Sequence, residues 1–304
     1  MRPAWSIIFF TTISGLGLGL AGWTVIGLLP LMTPGSVMGV GLATLALIGA
    51  GLLSSTFHLG HPERAWRALS QWRSSWLSRE GVLAVLVMVG LAGWFATAYG
   101  GGRVPFWANL VLLALIYLTV YATSMIYASL KTVARWYHPL TPICYLMFAA
   151  AGGLLAALAV LAILRLPITA ALAQAAIVLM LSAWGVKIAW WRLAGQAKIE
   201  GSIESATGLG AFGAVRPLMP PHTEENYLQH EMGFVVARAH ADKLRMIALA
   251  LGGGLPVVIL FLAPASAGAL AVALLAHVTG MFVERWLFFA EAKHVVTLYY
   301  GDPA

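Results

Sequence analysis

The segment Phe57–Glu80 reads FHLGHPERAWRALSQWRSSWLSRE. It stands between two apolar runs, Val37–Phe57 and Gly81–Tyr99. His58, His61, Glu63, Arg64, Arg67, Arg73, Arg79 and Glu80 all fall within it, in a chain that is only 10% charged. Trp66, Trp72 and Trp76 stand among them, and tryptophan suits the boundary between lipid and water. A short polar, Trp-rich connection between two long apolar runs places both runs in a bilayer. The segment itself then lies at the membrane surface.

The rest of the composition agrees. Of the 304 residues, 61% are hydrophobic, and the mean hydropathy is +0.86. A soluble domain is nearer half apolar and a quarter charged. So much apolar surface cannot be buried in a water-soluble fold, which points to a polytopic membrane protein. The net charge of +7 would suit nucleic acid in a soluble domain, but no basic soluble domain is present to bind it. Basic loops that orient a membrane protein account for the charge better. Cys144 is the single cysteine, so the chain can form no internal disulfide. Nor can it hold an iron–sulfur cluster, which needs about four ligands, mostly thiolates.

Working outward, eight runs are long enough to cross about 30 Å of hydrocarbon. They are Trp5–Leu29, Val37–Phe57, Gly81–Tyr99, Trp107–Leu130, Pro142–Leu164, Thr169–Trp191, Leu244–Leu262 and Ala267–Ala290. The expected fold is an all-α integral membrane protein of eight transmembrane helices, forming one domain over residues 1–304. A long polar segment, Arg192–Lys243, separates helices six and seven. Arg2 precedes a first run too long for a signal peptide's apolar region, so that run reads as a retained helix. The small-residue runs Gly15–Gly22 and Ala149–Gly153 predict close helix packing in lipid.

With an even helix count, both termini and the loops after helices two, four and six share one face. That face receives every Lys and Arg except Arg103 and Arg165, and all 11 acidic residues. By the positive-inside rule it is cytoplasmic, which predicts a multi-pass membrane protein with both termini inside. The opposite loops are too short to hold a partner, so any partner binds the charged face, around Arg67, Arg135 and Arg216. Arg192–Lys243, long and loop-like, offers a docking surface.

Three groups of residues could carry chemistry. The first is the opening segment. Pro62 suits the first turn of a helix, and Trp66, Leu69, Trp72 and Trp76 recur at spacings of three and four, with Arg64, Arg67 and Arg73 largely between them. This predicts an amphipathic interfacial helix. A purely topology-setting loop explains the arginines, but it explains His58 and Glu80 less well. His58 ends helix two and Glu80 starts helix three, so a short connection brings them to one face. An imidazole titrates near neutral pH, and a partly buried carboxyl can be pushed toward it. Together they can exchange the two protons that accompany two electrons at a quinone, whether ubiquinone or menaquinone. Trp66 and neighbouring apolar side chains can hold the ring. Pairing of Glu80 with Arg64 or Arg79 is the plainer alternative.

The second group is His277 and Glu284, seven residues apart on helix eight. They share a face about 10 Å apart along the axis, with Glu284 toward the charged end. An ionisable group inside a span is a candidate for function. Here His277 bonding a neighbouring helix, and Glu284 pairing with a residue such as Arg245, are equally natural. The third group is His222, His230 and His240 in the long loop, which lack any zinc-ligand spacing; no metal is expected in this chain. A bis-histidine haem needs two histidines at similar depth on different helices. His277 is the one mid-span histidine, while His58 and His138 sit at helix ends.

FHLGHPERAWRALSQWRSSWLSREG, with EMGFVVARAHADKLR and ERWLFFAEAKHVVTLYYG farther on, resembles the DmsC family, the membrane anchor subunits of dimethyl sulfoxide reductase-type molybdoenzymes. The Trp-rich form SQWRSSWLSREG looks most like the subgroup that anchors the cytoplasmic sulfite-oxidising enzyme. The resemblance implies eight helices and exchange of electrons with quinone. It also implies a four-cluster iron–sulfur subunit as partner and a catalytic subunit carrying molybdopterin, with those cofactors in the partners alone. Residue by residue, it implies a quinone site at His58 and Glu80, with Gly60 and Arg64 at further motif positions. Arg79 and Glu284 complete the candidate set. A purely structural anchor and a secondary transporter are the competing readings. Transporters gather polar groups at mid-membrane, whereas here they gather at one end.

Overall fold

The computed structural model describes residues 3–31, 33–57, 59–197, 202–216, 218 and 240–296. Six spans come first: α1 (Trp5–Val25), α2 (Pro34–Ser54), α3 (Trp76–Tyr99), α4 (Phe106–Ala128), α5 (Leu140–Ile163) and α6 (Ala170–Ala194). The short helix α7 (Ile203–Thr207) follows, and then two further spans, α8 (Ala241–Leu262) and α9 (Ala267–Ala290). All eight spans are long and apolar enough to cross a membrane, as the sequence predicts.

Local chemistry sets several of the starts. Thr33 caps α2, its side chain accepting from the Ser36 N–H while Ser36 bonds back to Thr33 N–H, and Pro34 opens the helix. Thr169 and Ser266 cap α6 and α9 in the same way, each bonding a backbone N–H three residues on. α3 departs from the expected start at Gly81. Ser75 accepts from the Ser78 N–H, so the helix begins at Trp76, whose ring meets Tyr121 of α4 edge-on. The earlier start carries Glu80 into the helix and into the bundle. The long segment before α8 contributes α7 and a 3₁₀ turn at Leu209–Phe212, neither with a buried residue, and its residues 219–239 lie outside the described ones.

α1 and α5 are the innermost helices. Their backbones nearly touch: a Cβ on Gly19 would stand 1.8 Å from the Ala149 carbonyl oxygen, and one on Gly153 would stand 2.5 Å from Gly19 Cα. The two small-residue runs therefore form a helix crossing, as expected. A second close crossing joins α8 to α9. Ala250–Gly254 is a π-turn within α8, and a Cβ on Gly280 would meet Gly252 N at 2.2 Å. Trp184 of α6 covers Gly252 and Gly253.

Candidate functional site

Pro62–Gln71 folds as a 3₁₀ helix rather than an α-helix. Three residues per turn aligns positions three apart. Trp66, Leu69 and Trp72 then share one edge, and Arg64, Arg67 and Arg73 another. None of the ten residues is buried. Leu69 Cδ2 lies 2.7 Å from where a Cβ on Gly81 would stand, so the apolar edge leans on the start of α3. The arginines stack on their neighbours, Arg67 over Trp66 at 5.6 Å, Arg73 over Trp72 at 5.5 Å and Arg79 over Trp76 at 4.3 Å. Arg79 also donates to the Trp72 and Arg73 carbonyls at 3.0 and 2.7 Å, which closes the loop onto α3. His61 Nδ1 and Arg64 Nε lie 3.0 and 3.7 Å from Glu63 Oε1.

Glu80 belongs to a different environment. It is buried, and its partner is the Thr123 hydroxyl of α4, not Arg64 or Arg79. Thr123 Oγ1 is also 3.0 Å from the Thr119 carbonyl. One hydroxyl proton thus faces two acceptors, an arrangement that serves both states of the acid. Ionised Glu80 accepts the Thr123 proton. Protonated Glu80 donates to Thr123 Oγ1, which turns its own proton to Thr119. His58, the other expected member, lies outside the described residues. Gly60, Arg64 and Trp66 are exposed on the loop, so among the described candidates Glu80 alone enters the bundle at this point.

Glu284 is fully buried and joins neither the loop nor Arg245. Its carboxylate is held by Lys187 of α6, and Arg285 Nη1 lies 3.2 Å away. Arg245 instead pairs with Asp242 at 2.9 Å and with Glu291, which also meets Arg135 at 2.8 Å. Burial draws the Arg135 guanidinium below its ordinary pKa; Glu291 opposes this and Arg245 adds to it. Lys187 has no counterpart among the sequence candidates. Its place in an apolar span, shortly before the Trp190–Trp191 pair, was the available signal. Lys187 Nζ sits 3.7 Å from the centre of the Trp190 ring, and the Arg285 guanidinium lies 3.8 Å from that of Tyr145. Tyr145 stacks on Tyr127 at 6.0 Å, and both tyrosines lie within electrostatic reach of Glu80 and Arg285.

His277 is buried with Nδ1 2.6 Å from the Gly252 carbonyl. No cluster of three or more His, Cys, Asp or Glu residues suited to a metal occurs among the described residues. The arrangement is therefore a buried acid with a hydroxyl partner, beside a second buried group of one acid and two cations. It can hold, give and receive a proton below the membrane surface.

The chain matches a protein-family model described as "DMSO reductase anchor subunit (DmsC)" over residues 1–301. It is also 32% identical to a subunit of the sulfite dehydrogenase of Allochromatium vinosum, across the full length of both chains. With eight membrane-spanning helices and a family match along its whole length, the chain belongs to the DmsC family of membrane anchor subunits of molybdoenzymes.

Proposed function

We infer that this chain is the quinone-reactive anchor of its complex. In this reading it exchanges electrons between the quinone pool and an iron–sulfur subunit seated on the charged face. That subunit connects to a catalytic subunit carrying molybdopterin. The likeness to a sulfite dehydrogenase subunit favours sulfite over dimethyl sulfoxide as the complex's substrate. The positive-inside pattern supports a cytoplasmic charged face, and the exposed Arg67 and Arg216 leave that face open to a partner.

The observation that carries the reading is Glu80 and its partner Thr123. A quinone, when bound, supplies two-electron, two-proton chemistry. The donor set fits it, because a carboxyl whose hydrogen bond survives both protonation states can pass a proton at a carbonyl oxygen. The opening loop, with Leu69 against Gly81 and Trp76 at the start of α3, gives an apolar, aromatic approach to this point. A secondary transporter fits less well, since the buried charges Glu80, Lys187, Glu284 and Arg285 all lie in the charged-face ends of their helices.

The test is Glu80→Gln in the assembled complex. It should keep dye-linked turnover of the catalytic subunit and lower quinone-coupled turnover by about 10²–10⁴-fold, the usual range for a lost general acid–base. Unchanged quinone kinetics with normal assembly would leave the chain a structural anchor.

A further inference from the structure

Between α1, α4, α5 and α9 lies a cavity, lined among others by Thr12, Thr123, Tyr145, Gly152, His277 and Arg285. It leaves about 30 Å³ for the centres of water molecules. One water needs roughly 10–15 Å³ on that measure, so there is room for about two. Genuinely empty cavities are apolar, and this one is not. Thr12 Oγ1, the Tyr145 hydroxyl and Arg285 Nε are buried and have no hydrogen-bond partner among the described residues. Their helices bring them to the same space from three sides.

His277 supplies a fourth group. The Gly252 carbonyl 2.6 Å from Nδ1 can only accept, so Nδ1 carries the hydrogen. In the neutral ring Nε2 is then left with a lone pair. That atom faces Gly152, where a Cβ would stand only 2.8 Å away. The absent side chain keeps room in front of the lone pair. The cavity thus presents hydroxyls at Thr12 and Tyr145, a donor at Arg285 and an acceptor at His277. Such a set suits small molecules that both give and accept hydrogen bonds. It is too small for a quinone ring.

We propose that this cavity is a water site: ordered waters link His277 Nε2, Thr12, Tyr145 and Arg285, and reach the carboxyl of Glu80 through Thr123. The link to Glu80 rests on the quinone reading above; the water site does not. In that setting the waters are the hydrogen-bonding environment through which Thr123 and Glu80 meet a mobile proton inside the bundle, instead of an apolar wall.

Radiolytic hydroxyl-radical footprinting of the assembled complex in native membranes tests the site. Radicals made from a bound water oxidise the side chains beside it. Met281 and Tyr145 are buried and line the cavity; Met180 is also buried and does not line it. Met281 and Tyr145 should be oxidised while Met180 stays protected. Gly152→Ala, which fills the space before His277, should suppress the labelling. Thr12→Val, close in shape and lacking the hydroxyl, should reduce it where Gly152→Ala fails to assemble. Met281 and Tyr145 as protected as Met180 would overturn the proposal, as would labelling that survives both substitutions. The two readings fail separately. Unlabelled Met281 with quinone turnover abolished by Glu80→Gln removes the waters and keeps the quinone site. Labelled Met281 with Glu80→Gln fully active does the reverse.

Discussion

The connection that ends at Arg79 and the bundle interior that begins at Glu80 are neighbours in sequence and opposites in physics. In the connection, Glu63 and Arg64 sit 3.7 Å apart with more than half of each side chain in water. In the interior, Glu284 holds Lys187 with almost no exposure on either side. The same unit charges interact weakly in the first setting and strongly in the second, because water screens one pair and is excluded from the other. Local density of charged letters therefore marks the membrane boundary, whereas the charges with the largest energetic consequence are the sparse ones set among apolar residues.

The sharpest way to break this contrast is Glu284→Gln. It leaves Lys187 and Arg285 buried without their acid, and breaking a buried pair by removing one partner costs about 3–5 kcal/mol. The variant should accumulate poorly in membranes and lose most of its thermal stability in detergent, measured by the loss of helical signal on heating. A variant as stable as the parent would show that water reaches Lys187 and Arg285 and that the interior is no different from the loop.

Backbone approach separates the two regions as well. A Cβ at Gly19 would fall 1.8 Å from a backbone oxygen of α5, while one at Gly60 would meet nothing within 4 Å. Gly19→Ala should destabilise by about 1–3 kcal/mol, the usual range for overpacking. Gly60→Ala should leave the melting temperature unchanged. Equal effects would mean that α1 and α5 can move apart freely.

Much of the architecture was legible from the letters. Eight apolar runs with loop charges on one side fixed the span count, and Gly19 and Gly153 lay in runs that announced a tight crossing. The start of α3 was less legible, because Ser75 competes with Gly81 as a boundary and only the cap bond decides. That earlier start carries Glu80 past the helix end where the sequence places it, and past the alternative pairing with Arg64 or Arg79, to a buried place beside Thr123, a residue with no distinguishing sequence context. Lys187 was missed for a related reason. Its pairing with Glu284 joins α6 to α9 across a sequence gap that no local spacing records. The 3₁₀ form of Pro62–Gln71 was readable in the strict threes of Trp66, Leu69 and Trp72, which a wider step to Trp76 obscured.

A smaller effect is expected at Thr123→Val. It removes the hydroxyl that Glu80 needs in both protonation states, yet keeps the side chain's shape. The acid itself stays in place, so quinone-coupled turnover should fall about tenfold, less than for loss of the acid itself. Protein yield and melting temperature should change little. A loss as large as that of Glu80→Gln would make the hydroxyl an equal member of the proton-handling pair.

The least effect is expected at Arg64→Ala, and it bears most directly on the contrast. Arg64 occupies a position that the family resemblance implicates in the quinone site. Its side chain is 56% exposed, and its partner Glu63 is 63% exposed. An exposed pair of this kind contributes about 0–1 kcal/mol. It lies on the arginine edge of the 3₁₀ helix, away from the edge that leans on α3. If the surface connection only orients and covers, the variant should keep its melting temperature and its apparent KM for quinone. A rise in KM at unchanged stability would mean that Arg64 turns inward when quinone binds. The loop would then act as a mobile part of the site, and the division between a screened surface and a reactive interior would hold only in the absence of quinone.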